Sequence, residues 1–257
     1  MQAPDPEKLR KLQRLREELG AKGVLHTLSA PPEAPAASWR RLAPGWPGPR
    51  LLLDLIEAEP GSGAALIGLW LCRLASGRRG QLVVIDPRGV FYPPCAIAWG
   101  ADARRLLLVR PGDQHDAIAA TECALRSRAV SAVWANVGRL DDRTSRRLVL
   151  AAEAGEAVGV LVRSRRHESE PSWADAQWRV EPAPTPPGGV GDLRRVRLVQ
   201  SHNRHGPAGQ TADLQIDWRT GHIDDAPPAP TSDSSEPLPD ARPTDPPQPT
   251  HRLRVAS

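Results

Sequence analysis

The chain has 257 residues, 40% of them hydrophobic, which is enough for one sizeable core or two small ones and excludes a bare peptide or a collagen-like rod. Its 34 basic and 30 acidic residues leave a formal net charge of +4, too small an imbalance to establish nucleic-acid binding. No long uninterrupted apolar run occurs and the N-terminus is charged and proline-bearing, so the sequence predicts a cytoplasmic protein with no membrane partner.

From Asp5 to Leu19 the pattern is helical, with Leu9, Leu12, Leu15 and Leu19 forming a narrow apolar stripe between Arg and Glu residues. Asp5 can cap this helix and Pro6 suits its first turn. The stripe is a candidate protein-binding surface, and docking on its own domain is the competing reading. A proline-rich connection follows, carrying Trp39 and Trp46, so residues 1–46 read as an amphipathic helix plus connection.

From Arg50 onward short apolar runs alternate with longer helical patterns. Strands are expected at Leu51–Ile56, Gln81–Asp86, Arg105–Val109, Val130–Ala135 and Val158–Arg163. Helices are expected at Ala64–Ser76, Pro94–Trp99, Asp113–Arg126 and Thr144–Ala154. This alternation predicts an α/β fold with a predominantly parallel sheet flanked by helices. Gln177–Glu181, Leu193–Gln200 and Ala212–Trp218 lack intervening helices and read as additional C-terminal strands, antiparallel or hairpin-connected. The core is expected over residues 47–220. Residues 221–257, rich in Pro, Ser, Thr and Asp, offer little to bury and read as a disordered tail.

The segment Ala58-Glu59-Pro60-Gly61-Ser62-Gly63-Ala64-Ala65 sits between a predicted strand and a predicted helix, where a phosphate-binding loop is normally placed. Its chemistry is missing. A working loop aims glycine-rich backbone amides at phosphate, reaches the terminal phosphates with a lysine and holds magnesium through Ser or Thr. Here Ala64 and Ala65 occupy the last two places and Ala58 the first glycine place, while Gly61 and Gly63 can preserve the turn. No lysine follows Lys22 to replace the missing one, and Glu57 and Glu59 oppose an anion.

The chain resembles the RecA-like recombinase superfamily and, more closely, the ImuA family, whose members are SulA- and RecA-related accessory proteins of bacterial mutagenesis cassettes. The resemblance runs from about Pro47 to Trp218. It includes Ile85-Asp86-Pro87-Arg88, Phe91-Tyr92-Pro93-Pro94, Leu106 through Pro111, Ala129 through Trp134, Ser145-Arg146-Arg147-Leu148 and Trp178-Arg179-Val180. It implies a degenerate RecA-like core. The phosphate-binding lysine of active relatives falls on Ala64, the metal-binding hydroxyl on Ala65 and the water-activating acid on Arg88. The later carboxylate falls on Asn136, or on Ala135 one residue away. Four changes together remove phosphate placement, metal support and water activation, so no ATP hydrolysis, catalytic residue or cofactor is expected.

The resemblance further implies a noncatalytic adaptor in SOS-induced, error-prone translesion DNA synthesis. Its implied partners are a mutasome protein related to Y-family polymerases, an error-prone replicative-type DNA polymerase, and the RecA recombinase filament or DNA. The competing readings are an ATPase with an arginine-assisted site and a SulA-like cell-division inhibitor.

Among the remaining polar residues, Arg143, Arg146 and Arg147 are candidates for partner binding, and Arg163, Arg165 and Arg166 for DNA phosphate. Arg195 and Arg197 should share one strand face and Arg194 the other. Asp86 reads as a turn or cap residue. His167, Glu168 and Glu170, like His202 and His205, form no complete ligand set, so no metal is expected. Cys72, Cys95 and Cys123 are scattered and read as buried thiols.

Overall fold

A computed structural model describes residues 49–76, 80–184 and 193–227. The leucine stripe at Leu9, Leu12, Leu15 and Leu19, the connection to Trp46 and the stretch beyond 227 lie outside the described residues.

In chain order the elements are β1 (Leu51–Glu57), α1 (Ala64–Ser76), β2 (Gln81–Ile85), α2 (Pro93–Ala98), β3 (Leu106–Val109), α3 (Gln114–Arg126), β4 (Val130–Asn136), α4 (Asp142–Gly155) and β5 (Val158–Ser164). After a single 3-10 turn at Arg165–His167 come β6 (Ala176–Ala183), β7 (Leu193–Asn203), β8 (Thr211–Asp217) and β9 (His222–Asp225). The described strands form one sheet in the order β3-β2-β4-β5-β1-β6-β7-β8-β9. Pairing is parallel from β3 through β6 and antiparallel from β6 to β9. The α/β architecture expected from the alternation, with added C-terminal strands, is the one observed.

The parallel strands are apolar runs because both faces of the sheet are covered. On one face α1 packs Ile67, Trp70 and Leu71 over Trp134, Val160 and Trp178, and this layer continues along the antiparallel strands to Leu214, Ile216 and Ile223. On the other face α3 and α4 pack Leu125, Leu148 and Val149 over Leu52, Val133 and Leu161. Both of these helices are capped. Asp113 accepts from the Asp116 N–H at 2.8 Å, and Asp141 accepts from the Thr144 N–H at 2.7 Å. Where α4 ends, Gly155 lies so close to α3 that a Cβ there would sit 1.9 Å from the Leu125 carbonyl oxygen.

One element lies where the sequence offered little to bury. β9 pairs antiparallel with β8 beyond Gly221 and buries Ile223, so the compact unit runs through Ala226 rather than stopping near residue 220. Among the described residues no helix is long and apolar enough to cross a membrane.

Candidate functional site

The loop between β1 and α1 turns tightly from strand to helix and bonds one of its own amides to a carboxylate. Gly61 and Gly63 adopt φ of 83° and 97°, the left-handed region that glycine enters without steric cost. The Glu57 carboxylate accepts the Gly61 N–H at 3.2 Å, and the Ser62 N–H donates to the Glu59 carbonyl at 3.0 Å. Ala58 is held by its own N–H, which donates to the Val180 carbonyl at 3.1 Å. A phosphate approaching these amides meets a carboxylate already bonded there. Ala64 is fully buried in the core, so its side-chain position faces packed apolar atoms instead of a ligand.

Ala65, Arg88 and Asn136, three of the positions singled out in the sequence, do converge. They line one pocket of about 210 Å³ at the C-terminal edge of the sheet. Trp134, Asn136 and Val162 rise from the strands, Leu66 and Leu69 come from α1, and Phe91 and Cys95 close the opposite side. The Trp134 indole N–H donates to the Ala65 carbonyl at 3.0 Å, and the Phe91 and Trp134 rings lie 5.5 Å apart at 52°. The Phe91 segment is placed by Asp86, whose buried carboxylate accepts from the Val90 N–H at 3.2 Å and the Phe91 N–H at 2.8 Å. Asp86 thus has the turn role expected of it. Glu57 and exposed Arg88 complete the lining as its charged members. The pocket thus presents aromatic rings, aliphatic side chains, a carboxamide and one charge of each sign.

The arginine candidates separate by burial. Arg163 is 2% exposed and is corrected from a DNA-phosphate candidate to a core residue. It donates from Nη1 to Asp54 Oδ2 at 2.9 Å, from Nε to the Gly138 carbonyl at 3.1 Å and from Nη2 to Glu170. The same Asp54 oxygen accepts from Gln177 Nε2 at 3.0 Å, while Asp54 Oδ1 is buried without a partner. Glu170 also accepts from the Leu140 N–H at 3.1 Å and from His167 Nδ1 at 2.8 Å. Arg166 Nε donates to His167 Nε2 at 3.0 Å, so the ring proton sits on Nδ1. Burial pushes the Glu170 carboxyl up, but the bonds from His167 and Leu140 and the Arg163 charge outweigh it and hold it below the ordinary glutamate range. His167 and Glu170, which form no complete ligand set in the sequence, are parts of this network. Arg165 and Arg166 remain exposed on the 3-10 turn.

Arg143, Arg146 and Arg147 are all exposed on α4, but two are engaged at home. Arg147 pairs with Glu122 of α3, which also holds Arg126 at 3.0 Å, and the Arg146 guanidinium lies 5.3 Å from the Trp173 ring centre. Arg197 binds Asp213 through two hydrogen bonds of 2.7 and 2.9 Å. His205 Nε2 meets Asp175 Oδ1 at 2.9 Å, and Asp175 Oδ2 accepts the Leu52 N–H at 2.8 Å, a tie between β1 and the start of β6. Asp113, His115 and Asp116 place ligand atoms within 4.8 Å of one another on the exposed start of α3, where Asp113 Oδ1 already accepts the capping bond. Of the cysteines only Cys72 is fully buried, and burial pushes its thiol up; Cys95 is half-buried and Cys123 exposed, against the expectation of three buried thiols.

Sequence reasoning missed Asp54, Phe91 and Trp134 as members of these sites. An acid interrupting the run Leu51 to Ile56 was the available signal for the first, since a buried carboxylate requires a partner. The ring pair had no such signal, because Trp134 lies in a strand, where an aromatic ordinarily reads as core, and Phe91 lies in a connection 43 positions earlier.

No protein-family model matches the chain. The protein named Protein ImuA in Caulobacter vibrioides, strain NA1000 / CB15N, is 31% identical over 148 residues, covering 53% of this chain and 61% of that protein, and its counterpart in strain ATCC 19089 matches identically. The matched region therefore spans less than two thirds of the relatives' length. Among solved structures, the crystal structure of the RadB recombinase superposes with a TM-score of 0.57 at 17% identity, covering 78% of this chain and all of that one. At that identity the likeness concerns the fold, which is RecA-like: a central sheet flanked by helices and extended by C-terminal strands.

Proposed function

We propose that this chain is a noncatalytic adaptor of the DNA-damage response, acting in error-prone translesion synthesis. The observation that carries the proposal is the pocket at the end of β1, β4 and β5: Ala65, Arg88 and Asn136 meet there with no lysine in the lining, and its one carboxylate, Glu57, accepts the Gly61 N–H of the loop that a phosphate would need. Phosphoryl transfer depends on those charges being positioned together. The 31% identity to Protein ImuA supports the placement among mutagenesis accessory proteins.

In this reading the partners are a Y-family-polymerase-like mutasome protein, an error-prone replicative-type polymerase, and the recombinase filament or DNA. Of the former DNA-phosphate candidates, Arg165 and Arg166 retain the exposure that such contact requires. Two measurements test the proposal. Purified protein is expected to hydrolyse ATP no faster than buffer, and turnover abolished by altering the loop that runs from Gly61 through Ala65 would overturn it. Affinity purification from DNA-damaged cells is expected to recover translesion polymerases, whereas recovery of cell-division proteins in their place would favour the SulA-like alternative.

A further inference from the structure

The pocket's size decides what class of ligand it suits. At about 210 Å³ it falls below the roughly 300–1,000 Å³ of cofactor and drug-sized sites and is nearer the scale of one large side chain. Its sides are aliphatic and aromatic, and Val90 and Tyr92, exposed by 63% and 68%, flank Phe91 in its lining. Exposed apolar residues gathered at the mouth of an apolar pocket are the composition of a protein contact.

Asn136 makes the choice sharper. It is 7% exposed and lines the pocket, and among the described residues its carboxamide has no hydrogen-bond partner. An occupant able to donate and accept at its tip would pair both polar groups of that carboxamide. Among side chains with a large apolar body, a tyrosine phenol does both, a tryptophan indole only donates, and phenylalanine and leucine do neither. Glu57 and Arg88, neither of them ion-paired among the described residues, give the pocket one charge of each sign, which complements a base and an acid on either side of the anchor.

We infer that this pocket is the acceptor for a single tyrosine presented by a partner polypeptide, with the ring between the α1 and Phe91 sides, the phenol on the Asn136 carboxamide, and the flanking charges on Glu57 and Arg88. This deepens the adaptor reading and rests on it in taking the occupant to be a protein. The probes are two capped tripeptides, Arg-Tyr-Asp and Arg-Phe-Asp, titrated into the full isotope-labelled chain while the Trp134 indole and Asn136 carboxamide resonances are followed.

The tyrosine peptide is expected to shift both resonances saturably, and the phenylalanine peptide to bind about 3- to 10-fold more weakly, the worth of one hydrogen bond. Asn136→Leu is expected to abolish that difference. Arg88→Glu, a change at an exposed side chain, is expected to abolish the preference for Arg-Tyr-Asp over Asp-Tyr-Arg, and it keeps the question answerable if Asn136→Leu fails to fold. Absence of saturable shifts, equal affinity for the two aromatic peptides, or displacement of the tyrosine peptide by magnesium ATP would overturn the inference. The first two outcomes leave the adaptor reading standing, since ATP turnover and co-purification are measured separately.

Discussion

Arg163 and Asp54 face each other at 2.9 Å with both side chains out of water, and Glu170 gives Arg163 a second counter-charge. Removing one member of such a pair strands the second in the core. Arg163→Ala is therefore expected to lower unfolding free energy in urea by about 3–5 kcal/mol. The double change Arg165→Ala and Arg166→Ala, at exposed positions, is expected to stay within about 1 kcal/mol. A loss of DNA binding on altering Arg163 would thus report unfolding, and only the exposed pair can test a phosphate contact. Glu170 adds a pH dependence. Its folded carboxyl is held below the unfolded value, so its stabilising contribution is complete above about pH 4.3 and is lost as pH falls through the folded value. Glu170→Gln is expected to flatten the acid limb of stability against pH in denaturant titrations while lowering stability at neutral pH.

The strand-to-helix loop and the α3–α4 contact are governed at the scale of the element. Restoring the lost lysine by Ala64→Lys places an ammonium at a fully buried site, so it is expected to destabilise the fold in thermal melts and to confer no ATP turnover. Gly155→Ala drives a methyl group to within 1.9 Å of the Leu125 carbonyl and is expected to cost about 1–3 kcal/mol as α4 is pushed from α3. The element pattern was readable in the sequence because β1 to β5 are mostly apolar runs and α3 and α4 begin at the capping aspartates Asp113 and Asp141. β9 was not, because His222-Ile223-Asp224-Asp225 contains one apolar residue, and only the neighbouring β8 shows that Ile223 has somewhere to go. Arg163 was misread for a related reason. It follows Val162 at a strand end that looks like the start of a basic loop, and the partner that holds it inside is more than a hundred positions earlier in the chain.

For the molecule as a whole, the added strands carry the α1-side core past the parallel half of the sheet. Truncation after Gly221 removes β9 and uncovers Ile216, whereas truncation after Pro227 keeps both. The shorter form is expected to show a lower urea midpoint than the longer one, and equal midpoints would deny β9 a structural role. Convergence of Ala65, Arg88 and Asn136 was legible only through a resemblance, because the three come from separate segments that the sheet alone brings together. Among the described residues the sheet ends at β3 on one margin and β9 on the other, and these margins are unlike. Leu106 to Val109 offers an oily border, whereas His222, Asp224 and Asp225 fringe the opposite one with polar and acidic groups that discourage another strand from joining. Lateral growth of the sheet between molecules is thereby biased to a single side.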